Sequence, residues 1–244
     1  MKGLILAAGE GKRMAEMKLK HKSFAEINKK HVIDYSLDLL AEQKEYISEI
    51  VIVVGYHADD IIEYVGEKYH DVPVKYAFQN ERLGIAHAIK TASQLLRDDF
   101  ILCLADEVLF NPRLGRMIDC FKQTEVDCVC GIIKSDSDMS FKPIAYDLYD
   151  DTNIKKVREK PDYYTNDIRG VGECIFSFRS LEVLERLMPN KVRGEYEMGD
   201  WIQLIIDEGG KASTFEIAET YVNVNRAKDI ILANEMLEMN EESK

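Results

Sequence analysis

The sequence predicts an α/β fold built on a doubly wound, mostly parallel sheet that becomes mixed in its second half. Three observations carry this reading. Short apolar runs rich in β-branched residues recur at Gly3 to Ala7, Ile50 to Val54, Val74 to Phe78 and Phe100 to Leu104, as buried strands do. Between them, Val32 to Gln43, Ala58 to Glu67 and Ile85 to Arg97 carry apolar residues at helical spacing. After residue 125 the alternation loosens.

The first four strands are short enough to lie inside a sheet, and each is followed by a charged or glycine-containing turn. The third helix is the clearest, with Ile85, Ala88, Ile89, Ala92, Leu95 and Leu96 on one stripe. Parallel neighbours need crossover helices, so the order β-α-β-α-β-α-β implies helices on both faces and a ligand crevice at the carboxyl ends of the strands. In the second half, Val126 to Ile133, Ile144 to Tyr149, Lys155 to Val157 and Val171 to Phe178 follow one another with few helices between. Mixed or antiparallel pairing fits them better. Helices are expected at Leu181 to Leu187 and Glu197 to Glu208, short strands at Thr214 to Ile217 and Tyr221 to Val224, and a last helix from Ala227 to Met239.

With 244 residues, 46% of them hydrophobic, the chain has apolar material for one sizeable core, and a single domain is expected over 1–244, its halves meeting near residue 125. A net charge of -12 supplies no positive field to gather nucleic acid or anionic lipid, so any phosphate site is built locally. No stretch approaches the roughly 20 apolar residues of a membrane span. Glycine and charge interrupt the start before a signal core develops, and a cytoplasmic protein is expected. A homo-oligomer is compatible with the composition. Five cysteines (Cys103, Cys120, Cys128, Cys130 and Cys174) form no Cys-x-x-Cys pair and read as small hydrophobes, and the five histidines are scattered and are assigned no chemistry.

Directly after the first strand stands Leu6-Ala7-Ala8-Gly9-Glu10-Gly11-Lys12-Arg13-Met14. Glycines let backbone N–H groups approach an anion, and Lys12 and Arg13 add charge. A Walker A loop would need Gly-Lys-Ser/Thr, and a dinucleotide fingerprint would need a third glycine where Met14 stands. Gly-x-Gly alone also suits a tight connection with solvated basic residues. The whole string Leu-Ala-Ala-Gly-x-Gly-x-Arg-Met at the N-terminus is more specific, and resembles the signature of the sugar-1-phosphate nucleotidylyltransferases, including thymidylyl- and uridylyltransferases.

That resemblance runs along almost the entire chain. It implies a Rossmann-like nucleotide-diphospho-sugar transferase fold, a loop (Leu6, Ala7, Ala8, Gly9, Gly11, Lys12, Arg13) that holds the triphosphate, and a catalytic Arg13. Lys22, opening Lys22-Ser23-Phe24-Ala25-Glu26, matches the family's active-site lysine, with Lys20 as the competitor in a loop that departs from the usual pattern at Ser23, Ala25 and His31. Gln79-Asn80-Glu81-Arg82-Leu83-Gly84-Ile85-Ala86 is similar to the segment in which glutamine and glycine backbone read the base, and a glutamine has the donor and acceptor such reading needs.

Asp106 ends the fourth strand, where a doubly wound sheet keeps its ligands, and offers the hard oxygen that Mg²⁺ prefers. It matches the family's metal aspartate. The second metal ligand implied by the resemblance lies in Tyr221-Val222-Asn223-Val224-Asn225, with Asn225 preferred to Asn223. The adjacent Glu107 is expected on the opposite face, away from the metal. Glu159-Lys160-Pro161, Val171 and Arg193 match acceptor-binding positions: Glu159 can accept from hydroxyls and Lys160 can neutralise phosphate. Two departures, Glu173 where relatives carry glycine and Lys142-Pro143 where they present one to the sugar, bear on which acceptor is used.

The expected function is Mg²⁺-dependent transfer of a nucleotidyl group from a nucleoside triphosphate to a phosphorylated small molecule, a sugar 1-phosphate, with release of pyrophosphate. One alternative is a cytidylyltransferase for a phosphorylated alcohol such as phosphocholine, which would want an aromatic cage, for which Tyr163, Tyr164 and Trp201 are the available rings. A second, from another class, is a silent nucleotide-sensing module, for which four retained charges (Arg13, Lys22, Asp106 and Lys160) would have no use.

Overall fold

A computed structural model describes residues 1–10, 22–135 and 143–242, residues 241 and 242 by backbone alone. The first strand, β1 (Lys2–Leu6), is fully apolar at its centre and enters the middle of the sheet. A 3-10 turn at Lys22–Phe24 and a two-residue ladder, β2 (Glu26–Ile27) with β3 (Lys30–His31), lead into α1 (Val32–Ala41). Then come β4 (Glu49–Val54), α2 (Ala58–Val65), β5 (Lys68–Tyr69), β6 (Val72–Phe78), α3 (Ile85–Ala92) and β7 (Phe100–Leu104). After a tight turn at Ala105 and Asp106 follow β8 (Glu107–Phe110) and α4 (Leu114–Gln123). The second half supplies β9 (Cys128–Lys134), β10 (Ala145–Leu148), β11 (Ile154–Arg158), β12 (Ile168–Phe176), α5 (Ser180–Leu184), α6 (Met198–Asp207), β13 (Ala212–Glu216), β14 (Thr220–Asn223) and α7 (Ala227–Glu242).

Eight strands form one sheet in the order β13-β9-β12-β7-β1-β4-β6-β5. The four strands β7, β1, β4 and β6 are parallel, as their helix crossovers require. Beyond β7 the direction reverses, because β12 runs antiparallel to both β7 and β9. The fold is therefore α/β with a mostly parallel half and a mixed half, as the loosened rhythm after residue 125 implies.

Each helix buries its apolar stripe on one face. Ala86, Ala88 and Ile89 of α3, Leu181 and Leu184 of α5, and Trp201, Ile202 and Ile205 of α6 pack with Leu4, Val51, Phe100 and Phe176 on one side. Ile33, Leu37 and Leu40 of α1, Ile61 of α2, and Met117 and Ile118 of α4 pack with Ile5, Ile50, Ile52 and Ile101 on the other. A third cluster gathers Ile27, Val32, Val108, Phe110, Val222 and Ala233, and holds β2, β8, β14 and α7 to the body. The four cysteines Cys103, Cys128, Cys130 and Cys174 are buried as free thiols.

Candidate active site

The carboxyl ends of β1, β6 and β7 open into a cleft of about 640 Å³ lined by Leu6, Ala8, Gly9, Lys22, Gln79, Arg82, Gly84, Ile85, Ala88, Leu104, Asp106, Lys160, Glu195, Asn223 and Asn225. Most positions singled out from local motifs meet here, although they are spread from residue 6 to residue 225. Gly55, at the end of β4, permits the floor: a Cβ there would lie 3.0 Å from the Gln79 carbonyl and 3.1 Å from Ala8 Cβ.

Asp106 is brought to the asparagines by strand pairing. β8 and β14 run antiparallel with Asn223 opposite Glu107, and Val224 N donates to the Asp106 carbonyl at 2.7 Å. The Lys22 ammonium is paired with the Asp106 carboxylate, while its side chain crosses Gly9, Cε standing 3.5 Å from where a Gly9 Cβ would be. Asn225 Nδ2 donates to Asn223 Oδ1, and Asn223 Nδ2 donates to Glu107 Oε1 at 2.9 Å. Asn225 donates here rather than accepts, and both asparagines line the same cleft as Asp106. One carboxylate and one or two amide oxygens on a single wall, with a cation already on the carboxylate, form a hard donor set that suits Mg²⁺.

Glu107 lies, as expected, on the far side of Asp106, where it lines a small second cavity with Glu173, Ser36 and Leu109. It is nevertheless tied to the cleft, because it fixes the Asn223 amide and accepts from Gly172 N at 2.8 Å. Burial first, and the Asp106 charge second, push the Glu107 carboxyl up, and burial with the Glu107 charge pushes Glu173 well up.

Beside Lys160, Glu197, 3% exposed, is the organising anion. It accepts from Lys160 Nζ at 3.0 Å and from Arg193 Nε at 2.6 Å, and these cations hold its carboxyl low against the cost of burial. Glu159 accepts from Gly199 N at 3.0 Å, and burial together with the Glu197 charge raises its pKa to about 7. The segment from Leu83 to Ala86 is locked to this wall: Tyr196 N donates to Leu83 O at 2.7 Å and Ala86 N donates to Tyr196 O at 2.9 Å. Gly84 allows it, with φ 108° and ψ 175°.

These features can be compared with known proteins. A family profile described as nucleotidyl transferase matches residues 2–238. The chain belongs to the nucleotidyl transferase family. The UTP–glucose-1-phosphate uridylyltransferase AglF of Haloferax volcanii is 28% identical over 230 residues, covering 94% of this chain and 93% of that protein. Glucose-1-phosphate thymidylyltransferase of Streptomyces griseus is 28% identical over 240 residues, 97% of this chain but 66% of its own. The bifunctional protein GlmU of Methanococcus maripaludis, strain C5, is 26% identical over 96% of this chain, which spans 54% of that protein. In fold, a UDP-glucose pyrophosphorylase solved with UDP-glucose superposes with a TM-score of 0.83 at 20% identity, covering 98% of each chain.

Within this nucleotidyl transferase fold, some expected positions sit elsewhere. Gly11, Lys12 and Arg13, and the competing Lys20, lie outside the described residues. Val171, expected at the acceptor, points its side chain into the core beneath α1 and α4, because strand alternation through the irregular stretch between Gly170 and Cys174 leaves it on that face. Ala7 is likewise a core side chain and does not line the cleft. Arg193 reaches the site through Glu197 rather than by lining the cleft. The aromatic cage does not form: Trp201 is 0% exposed, stacked on Phe176 at 4.2 Å with its Nε1 donating to Ser180 O. Tyr163 and Tyr164 instead lie against Arg158 and Arg169. From the sequence His87 carries no assigned chemistry, and Glu195 and Glu197 fall in a segment, Arg193 to Asp200, that resembles a thymidylyltransferase motif but in which neither glutamate is given a role. His87 stands in the first turn of α3, beside Gln79, and only that turn's exposure to the strand ends distinguished it.

Proposed function

We propose that this chain transfers a nucleotidyl group from a nucleoside triphosphate to a sugar 1-phosphate and releases pyrophosphate. The supporting observation is the single cleft that holds Gly9, Lys22, Gln79, Gly84, Asp106, Asn225 and Lys160 together. The acceptor needs no strong base. A phosphate monoester is already largely anionic near neutrality, its second pKa being about 6. Its oxygen forms a bond to the α-phosphorus as the bond from that phosphorus to the bridging oxygen breaks, and pyrophosphate leaves with the electron pair. Catalysis of such a step rests on positioning and on neutralising charge.

In this reading Gly9 and the loop after it bind the triphosphate, Gln79 and the Gly84 backbone hold the base, and Lys160, steadied by Glu197, meets the acceptor phosphate. Glu159 accepts from acceptor hydroxyls. Lys22 turns from Asp106 toward the transferring phosphoryl group, with Arg13 as its expected partner in charge. Mg²⁺ would be held by Asp106 and Asn225, with Asn223 behind them, and when bound it supplies charge neutralisation between the two phosphates. A buried Trp201 removes the ring on which a phosphocholine reading leaned. The test is a pyrophosphate-release panel crossing several triphosphates with sugar 1-phosphates and phospho-alcohols. Release that needs both substrates and favours sugar 1-phosphates supports the proposal, and nucleotide binding without release from any pair favours a silent module.

A further inference from the structure

We propose that His31 and Tyr64 hold the turn from which Lys22 reaches Asp106, and so act as positioning residues for the transfer step. The inference rests on the role proposed for Lys22 and adds to it the side chains that place the lysine.

Lys22 stands on little structure of its own. It opens a three-residue 3-10 turn, closed by Ala25 N donating to Lys22 O at 3.0 Å, and the ladder that follows pairs two residues of β2 with two of β3. Elements this short are not stable alone, so the place of the turn is set by what packs on it. His31, at the start of α1, has Nδ1 3.1 Å from Phe24 O, and because a carbonyl only accepts, that nitrogen carries the proton and donates. The rings of Phe24, His31 and Tyr64 meet edge to face, with centroids 5.2 Å apart for Phe24 and His31, 5.4 Å for Phe24 and Tyr64, and 5.0 Å for His31 and Tyr64.

One carboxylate fixes the other side of this brace. Asp34, in the first turn of α1 and buried, accepts from His31 N at 3.0 Å and from the Tyr64 hydroxyl of α2 at 2.9 Å. It thereby ties helix to helix and holds the His31 backbone while the His31 ring holds Phe24. The same helix is fixed to the strand that leads into Asp106, as the buried Ser36 hydroxyl donates to Leu104 O at 3.0 Å. Both members of the Lys22–Asp106 pair are therefore referred to α1, Asp106 through Ser36 and β7, and Lys22 through His31, Asp34 and Tyr64. The ladder has separate anchors, with the Tyr35 hydroxyl donating to Ile27 O at 2.9 Å and Asn28 N to Asn234 Oδ1 at 2.9 Å. Loss of the brace thus loosens the lysine turn without releasing the ladder. A charge aimed at a transferring phosphoryl group acts through its placement, so a loosened turn slows the step more than it weakens nucleotide binding.

The test combines kinetics with a readout that needs no turnover. Tyr64→Phe, His31→Leu and His31→Asn are compared with wild type and with Tyr69→Phe, which removes an equivalent bond, from the Tyr69 hydroxyl to Asp38 at 2.7 Å, one turn further along α1. Tyr64→Phe and His31→Leu should each lower kcat about tenfold while the Kd for triphosphate changes by less than about twofold, as a misplaced charge requires. His31→Asn, whose Nδ2 can donate to Phe24 O, should recover most of the rate, and Tyr69→Phe should lower Tm without lowering kcat. In a Lys22→Ala background, Tyr64→Phe should lower the residual rate no further. In the substrate-free chain, competitive acetylation of amines read by mass spectrometry should label Lys22 about fivefold faster in Tyr64→Phe and His31→Leu than in wild type, the scale of one net hydrogen bond, with Lys160 unchanged. Melting temperatures identify loss of fold, and a misfolded His31→Leu leaves the decision to Tyr64→Phe, which keeps its ring. Unchanged Lys22 labelling in a folded Tyr64→Phe, unchanged kcat in that variant of an active chain, an equal kcat loss in Tyr69→Phe, or a loss that persists in the Lys22→Ala background overturns the proposal. Labelling that responds to both residues in a chain that transfers nothing would retain the brace and discard the proposed reaction. Transfer with kcat and labelling indifferent to His31 and Tyr64 would do the opposite.

Discussion

Replacing Gly84 by alanine should weaken the fold and both substrate sites at once. The residue has φ 108° and ψ 175°, a region open almost only to glycine, so alanine there costs about 1–3 kcal/mol in backbone strain alone. The added carbon would also lie 2.5 Å from Tyr196 O and 2.9 Å from Tyr196 N, backbone atoms that cannot rotate away. The segments must separate, loosening the bonds from Tyr196 N to Leu83 O and from Ala86 N to Tyr196 O, worth about 1 kcal/mol each. Together these give roughly 3–5 kcal/mol. Gly66 is the control, because it has φ 72° with nothing within 4 Å of an added methyl, and alanine there should cost only about 1–2 kcal/mol. In a domain of this size 1 kcal/mol moves Tm by about 2–4 °C, so calorimetry should show a loss of roughly 6–20 °C for Gly84→Ala against roughly 2–8 °C for Gly66→Ala. Steady-state kinetics should show KM rising for both substrates in Gly84→Ala only, since the same clamp carries the base segment and the wall that holds Lys160. Equal Tm losses with unchanged KM values would refute the clamp.

Three further outcomes follow from the site. Lys22→Ala should lower kcat by about 10²–10³ with little change in nucleotide affinity, because a charge directed at the transferring group acts mainly in the transition state; a matching loss of affinity would show a ground-state role. Glu159 has its carboxyl raised to about 7 by burial and by Glu197, so its contribution to stability is full below the ordinary value of 4.5 and is lost as pH rises through about 7. Acceptor KM should fall over the same rise as the carboxylate forms, and Glu159→Gln should flatten that dependence; an unaltered profile in Glu159→Gln would assign the titration elsewhere. Asp106→Ala should abolish turnover at every Mg²⁺ concentration, while Asn225→Ala, which removes only a neutral ligand, should recover in part with excess metal, as a metal titration of initial rates will report.

The parallel half of the fold was legible because β-branched runs and helical stripes there are unbroken, and β1, β4, β6, β7, α1, α2 and α3 fall within a few residues of their expected places. β8 and α4 were not drawn from the sequence. β8 follows β7 after only the two-residue turn Ala105–Asp106, too short to separate the two strands in the sequence, and α4 carries its helical spacing (Leu114, Met117, Ile118, Phe121) beside charges that dilute it. In the site, Leu6 to Gly9, Gln79 and Asp106 reach the cleft because their motifs follow β1, β6 and β7 at the same edge of the main sheet, while Lys22, Lys160 and Asn225 arrive from the 3-10 turn and the ends of β11 and β14. The partners that aim them were not legible, since they come from elsewhere in the chain: Glu197 for Lys160, Glu107 for Asn223 and Asp106 for Lys22. No spacing rule links positions 106 and 22. The core facing of the Val171 side chain was not legible either, as the irregular pairing of β12 decides it and leaves no trace in composition.

Whether one cleft joins a triphosphate to a phosphorylated sugar is measured most directly as pyrophosphate release by the purified chain with UTP or dTTP and glucose 1-phosphate, each substrate also supplied alone. Release is expected only when both are present, lost in Asp106→Ala and strongly reduced in Lys22→Ala. Release from triphosphate alone, or release that survives Asp106→Ala, would contradict the proposed reaction.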